Sequence, residues 1–181
     1  MQEKSEFSRL MQVEGLILDK VRTETFEATP EECVALAARF GIPGVDSVKA
    51  TLSVRRVGGS KTVEVIGKYE AEVVQSCVVS LRNVPQQMAG DFKTYFSEDA
   101  PPEDNEIDFA FEDDESNPEH MSGGVIDLGE VTTQYVAIDL DPYPRAPGVS
   151  LAAQMAELGL GVKNSPFQVL ETLQEKDTKK K

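Results

Sequence analysis

The chain has 181 residues, 40% of them apolar and 28% charged, with a net charge of −14, which fits one domain or one domain plus tails. No apolar run approaches the roughly 18 residues of a membrane-spanning helix, and Met1–Glu6 shows no apolar signal region. Two cysteines, Cys33 and Cys77, are too few for a disulfide framework and point to a reducing, cytoplasmic setting.

The charge is unevenly placed. Residues 1–93 hold 13 acidic and 12 basic side chains, residues 94–164 hold 16 acidic and two basic, and residues 165–181 hold three acidic and four basic. The middle stretch therefore carries a balance equal to the net charge of the whole chain. A uniformly acidic protein is repelled by nucleic acid; this one keeps a near-neutral first half, which leaves RNA contact open there.

In chain order, Val21–Phe26 alternates in the manner of a partly exposed strand. Thr29-Pro30-Glu31-Glu32 is an N-cap, a proline at the first helical position and a capping-box glutamate. Cys33, Leu36, Ala37 and Phe40 share one helical face and Gly41 stands at the stop, so a helix is predicted over 30–40. Val48, Ala50, Leu52 and Val54 then alternate with polar residues, Gly58-Gly59-Ser60 turns the chain, and Lys61–Val65 begins a return strand. Alternation runs on through Tyr69, Ala71 and Val73 and again through Cys77, Val79 and Leu81, with Asn83-Val84-Pro85 as the next turn. Phe92, Thr94 and Phe96 share a face of a further strand. Residues 45–97 thus read as an antiparallel meander, compatible with an open, strongly curved or barrel-like sheet.

Ser97–Glu119 has 11 acidic residues and no lysine or arginine, a composition that buries too little apolar surface to offset ordering entropy. Within it Ile107, Phe109 and Phe111 alternate and suit a short edge strand. Asp127 is the next cap, with Glu130 at N3 and an Ile126–Val131 staple. Leu128, Val131, Tyr135 and Ile138 share a face of the helix that follows, ending by Asp141; a strand through Val136, Ile138 and Leu140 is the competing reading. Ala152–Leu158 has the composition of a short helix, against which Gly159 and Gly161 speak. Ser165-Pro166-Phe167-Gln168 is another helix start. The expectation is an α+β protein: a β-rich part with one helix over 1–97, an acidic flexible segment over 98–122, a helical part over 123–175 on the same core, and a basic tail over 176–181.

The chemical inventory is sparse. His120 is the single histidine and falls in the acidic stretch, where nothing local supplies a nucleophile or an orienting partner; it reads as a solvated loop residue. Cys33, Cys77 and His120 cannot make a four-ligand zinc site, and the acidic run lacks the spacing of a calcium loop. Both cysteines read as packing residues. No catalytic residue, metal or cofactor is expected. Arg55, Arg56, Lys61 and Lys68 cluster around the first hairpin, with Arg82 near the next turn, and form the candidate RNA contact. Ordinary solvent-face charge is the competing reading, because no aromatic platform accompanies them. Glu98, Asp99, Glu103, Asp104, Glu112, Asp113, Asp114 and Glu115 form a candidate surface for a basic partner.

Several stretches taken together resemble one family. They are Phe7-Ser8-Arg9; Ala28–Glu32 leading to Leu36-Ala37 and Phe40-Gly41; Gly67, Ala71 and Val74–Leu81; Ile126–Glu130 leading to Asp141–Arg145; and Ser165–Leu170. In this order, with an acidic stretch before the fourth, the chain resembles the YceD family of large ribosomal RNA subunit accumulation proteins, and most of all its alphaproteobacterial branch. The resemblance implies a bacterial cytoplasmic accessory factor rather than an enzyme, concerned with synthesis, processing or stability of large-subunit ribosomal RNA. Its implied partners are the large-subunit precursor, ribosomal RNA or a basic ribosomal protein, with neither membrane nor DNA. Many members carry a C-x-x-C pair in the third stretch; here Cys77 keeps the first position and Ser80 takes the second, so no metal or redox role carries over. Pro166 and Phe167 match the last stretch. The alternative is an interaction or small-molecule-binding module unrelated to ribosomes.

Overall fold

The computed structural model describes residues 5–18, 20–57, 61–100, 118–157 and 159. The Gly58–Ser60 turn, the Ile107–Phe111 run, the start at Ser165 and the basic tail lie outside these residues. The elements are β1 (Leu10–Gln12), β2 (Arg22–Glu27), α1 (Pro30–Phe40), β3 (Gly44–Arg56), β4 (Val63–Ser76), β5 (Asn83–Ser97), β6 (Glu119–His120), β7 (Val125–Asp127), α2 (Leu128–Ile138) and α3 (Leu151–Glu157).

The sheet is the predicted meander, open rather than closed. Its order is β2-β3-β4-β5-β6, antiparallel until β6 joins β5 in parallel, and β1 pairs with β7 in a separate two-stranded ribbon. The alternating residues do as their pattern dictates. Val48, Ala50, Leu52 and Val54 on β3 and Val65, Tyr69, Ala71 and Val73 on β4 are buried on one face, where α1 packs against β3 and α2 against β4 and β5. The intervening Lys49, Thr51, Lys68, Glu70 and Glu72 are exposed. A register shift between Val45 and Ser47 marks the kind of irregularity that bends a strand.

Helix α1 begins as its sequence requires. Thr29 Oγ1 accepts the Glu32 N–H at 3.3 Å, the Glu32 carboxylate accepts the Thr29 N–H at 2.8 Å, and Gly41 stops the helix at φ 65°, a backbone shape that glycine adopts without penalty. Cys33 lies in the core, where burial pushes its thiol pKa up. In α2, Asp127 caps the N–H groups of Gly129 and Glu130, and the buried Thr132 and Thr133 hydroxyls donate to Leu128 O and Gly129 O. The helix prevails over the strand reading of 136–140, and α3 forms despite the glycines after it.

Four expectations are corrected. The alternation through Cys77, Val79 and Leu81 is not strand: β4 ends at Ser76, and the chain closes a turn in which Leu81 N–H donates to Cys77 O and Cys77 N–H to Arg82 O. Asn83-Val84-Pro85 is accordingly the opening of β5, with Pro85 opposite Val74; a proline is tolerated there because, among the described residues, the other edge of β5 carries a partner only at Phe96 and Ser97. Ile138 is exposed. The buried stripe of α2 runs through Leu128, Val131, Thr132 and Val136 and next reaches Asp139, which accepts the Tyr69 hydroxyl. His120 is not a solvated loop residue but part of β6, half-buried, with Nδ1 2.7 Å from Ala100 O.

Gly67 shows how closely the layers meet. A Cβ at this position would lie 2.2 Å from Phe92 Cζ, and the Phe92 ring is itself stacked on Tyr135 with centroids 4.0 Å apart. Gly67→Ala should therefore destabilise the protein by about 1–3 kcal/mol, the usual cost of overpacking, seen as a lower urea midpoint; an unchanged midpoint would mean that the ring pair shifts freely.

Candidate functional site

Charge organises the molecule into three places. The first is the hairpin end of the sheet. Glu64, 2% exposed, binds the Arg55 guanidinium through both carboxylate oxygens, lies 3.2 Å from Lys93 Nζ, and accepts the Tyr95 hydroxyl at 3.3 Å. The Arg55 hydrogen bond is the chief reason why the Glu64 carboxyl is held below its ordinary value, against the opposing effect of burial. Lys61 pairs with Asp99 at 3.0 Å, which raises the lysine pKa. Two of the candidate RNA contacts, Arg55 and Lys61, thus already hold carboxylates. Arg56 is half-buried at the end of β3, and Lys68 stands exposed in mid-strand opposite Thr51 and Asp91; the structure does not gather these cations into one patch.

The acidic stretch departs and returns at this same end. Ser97, Glu98 and Asp99 lead out from β5, while Glu119 and His120 come back beside Phe96 and Ser97. Glu103, Asp104 and Glu112–Glu115 lie outside the described residues.

The second place is a corner that joins the chain's beginning to α1 and α2. Ser8 Oγ donates to Asp127 Oδ2 at 2.6 Å and Arg9 N to Asp127 Oδ1 at 2.7 Å. The Arg9 guanidinium forks onto Glu32 at 2.7 and 2.9 Å and lies 4.7 Å from the Phe7 ring centroid. Arg39 reaches across to Glu130 at 2.6 Å and to Glu6 at 3.0 Å. Hydrogen bonding to Arg39 holds the Glu130 carboxyl below its ordinary value. A cleft of about 810 Å³ opens beside this network, lined by Glu6, Arg39, His120, Asp127 and Glu130 among others. One sequence cannot reveal this corner, because Asp127 meets residues more than a hundred positions earlier.

The third place is the opposite end of the sheet, where the Cys77–Arg82 turn docks against Asp141–Ala146. Val78 N–H donates to Pro144 O at 2.9 Å and Gln75 Nε2 to Asp141 O at 2.9 Å. Cys77 is fully buried. Its sulfur accepts the Ser80 N–H at 3.3 Å, and N–H groups of Ala146 and Ser80 pull its pKa down to about 6. Sealed from solvent, this sulfur accepts hydrogen bonds that pin the turn. Among the described residues no group of three His, Cys, Asp or Glu side chains is placed to hold a metal ion, and no helix is long and apolar enough to cross a membrane.

These features define an α+β protein with a half-covered antiparallel sheet and strongly segregated charge. A family model described as "Large ribosomal RNA subunit accumulation protein YceD" matches residues 65–174, and the chain belongs to that family. No curated protein and no solved structure matches the chain. The matched residues run from β4 past α3 and include the Cys77 turn, the acidic stretch and α2. Phe7-Ser8-Arg9 and the Thr29–Gly41 stretch precede them and are tied to them through Asp127 and Glu130. The family's description links the chain to ribosome biogenesis and to the RNA of the large subunit.

Proposed function

We propose that this chain is a non-catalytic accessory factor of the bacterial cytoplasm that supports synthesis, processing or stability of large-subunit ribosomal RNA by binding a basic ribosomal protein through its acidic stretch. The observation that carries this reading is the charge layout. In the body of the fold, Arg9, Arg22, Arg39, Lys49, Arg55, Lys61 and Lys93 are each paired with a carboxylate, while 11 acidic residues between Ser97 and Glu119 have no cation in their own run. A dense anionic stretch attracts basic partners over a Debye length and imitates the RNA that they later meet. RNA contact at the hairpin would first have to displace Glu64 from Arg55 and Asp99 from Lys61, so the geometry favours a protein partner for this end.

The test is co-purification of ribosomal proteins with the full chain and with a chain in which residues 101–117 become a neutral Gly/Ser linker of equal length. This exchange leaves Glu119 and His120 in place to pair with β5. Association should be salt-sensitive in the native chain and should fall roughly tenfold or more in the linker chain. Full association of the linker chain at low salt would refute the reading.

A further inference from the structure

The end of the sheet opposite the described ends of the acidic stretch has a different character. Leu81 and Tyr143 are 78% and 71% exposed there, and Val78 is exposed beside them. Arg82 and Arg145 are exposed as well, and neither has a carboxylate within ion-pair distance among the described residues. The backbone brings the two arginines together: Arg82 O accepts the Cys77 N–H, and Val78 N–H is bonded to Pro144 O, next to Arg145. The local carboxylate of Asp141 is engaged by the Tyr143 N–H at 2.8 Å, which sets the turn that presents the Tyr143 ring.

Leu81 adds an independent mark. It is the non-glycine residue with a left-handed backbone among those described, at φ 58°, a conformation that a bulky branched side chain rarely adopts. The turn is held in this shape by the buried Cys77 sulfur and by its two backbone bonds, and the result is a leucine displayed to solvent. Residues held in such sparsely populated backbone conformations cluster at active sites, ligand clamps and switch regions.

We propose that the surface formed by the Cys77–Arg82 turn and Tyr143–Arg145 binds single-stranded RNA. Arg82 and Arg145 take successive phosphates, Tyr143 stacks on a base, and Val78 and Leu81 form the apolar rim. The guanidinium fork matches phosphate oxygens, and an exposed aromatic ring between cations is the stacking platform that unpaired bases require. A duplex would offer the arginines its phosphates but leave the ring and the aliphatic rim unused. The hairpin cations lack such a ring on their exposed side: Tyr95 is buried beside Glu64. The described ends of the acidic stretch, at Asp99 and Glu119, lie at the other end of the sheet. β4 spans 14 residues between the two ends, about 45 Å at the usual rise per residue, several times the Debye length of about 8 Å.

This inference rests on the link to ribosomal RNA and not on the acidic stretch, and its test separates the two. Fluorescence anisotropy would follow a labelled single-stranded RNA of about 12 nucleotides on the full native chain at low salt. Arg82→Glu with Arg145→Glu should weaken binding roughly tenfold or more and lower the salt slope by about two. Tyr143→Ala should weaken it about fivefold or more. All three positions are exposed, so the fold should persist by circular dichroism. The 101–117 linker chain should bind the RNA at least as tightly as the native chain, whether or not it loses its protein partner. Unchanged affinity in the double-arginine variant would overturn the proposal. So would a loss confined to Arg56→Glu with Lys68→Glu, or equally tight binding of an acidic peptide or of duplex RNA. A single-stranded DNA of the same sequence that binds as well would remove the assignment to RNA.

Discussion

Gly129→Ala should destabilise the protein by about 3–5 kcal/mol, a cost of the size seen when a large core side chain is lost, although glycine to alanine within a helix ordinarily stabilises by about 1 kcal/mol. The inversion of sign follows from what faces the glycine. A Cβ at this position would lie 2.1 Å from Phe7 O and 3.1 Å from Arg9 N. These are backbone atoms, so no rotamer change relieves the overlap. The segment that must retreat is bound at several points: Leu128 N–H donates to Arg9 O at 2.9 Å, Ser8 and Arg9 share the Asp127 carboxylate, and Phe7 is fully buried against Phe26 with ring centroids 5.5 Å apart. Displacing the segment removes a core aromatic and uncovers polar groups together. Urea denaturation should show the lowered midpoint, and limited proteolysis should open residues 5–18 first. A midpoint equal to or above that of the native chain would show that the N-terminal segment contributes little to the fold.

Glu64→Gln should cost about 1–3 kcal/mol near neutral pH. Breaking a buried ion pair ordinarily costs more, but the Arg55 and Lys93 side chains are 49% and 45% exposed, and water compensates part of the loss. The variant keeps the shape of the side chain, so the loss reports charge. Because the folded-state pKa of Glu64 is lowered from 4.5, the stabilisation is fully present above that value and disappears as pH falls through the folded-state value. The gap between native and variant stability should thus be widest near pH 7 and should close in acid, as pH falls below 4.5 and through the lowered folded-state value. A gap that stays constant over this range would mean that Glu64 contributes through packing alone.

Local chemistry was readable in the residues, and long-range chemistry was not. The capping box at Thr29–Glu32 and the cap at Asp127 depend on neighbours within one helical turn, and both form as their spacing predicts. The alternation from Val48 to Val73 depends on a single buried face and was equally legible. Alternation misled at Cys77, Val79 and Leu81, because apolar residues in a tight turn need not share a face: Cys77 is buried while Leu81 is exposed. Ile138 misled because apolar character marks the helix face only while there is sheet beneath it. The competing reading of the basic hairpin as ordinary surface charge had a structural counterpart that the sequence hid: the partner of Arg55 is across the ladder, Glu64, and that of Lys61 is at the root of the acidic stretch. The third site was hidden for the same reason. Val74–Leu81 and Asp141–Arg145 could each be recognised in the family resemblance, but their contact through Val78 and Pro144 is a property of the folded chain.

Arg9 illustrates how the family's scattered stretches become one object. It spans Glu32 of the α1 cap, the rings of Phe7 and Phe26, and, through its backbone, the Asp127 cap of α2. Helix α2 is thereby clamped between the N-terminal segment and the sheet, while the described ends of the acidic stretch lie at the β5–β6 edge. Exchange of residues 101–117 changes the charge and leaves the residues of these described contacts unaltered.

The most direct measurement is the ratio of large- to small-subunit ribosomal RNA in growing cells whose only copy of this gene encodes the native chain or the 101–117 linker chain, with equal protein levels confirmed. The account predicts a lower ratio with the linker chain, and recovery when a different acidic sequence of the same length and charge replaces the linker. A ratio that is unchanged by the neutral linker would contradict it.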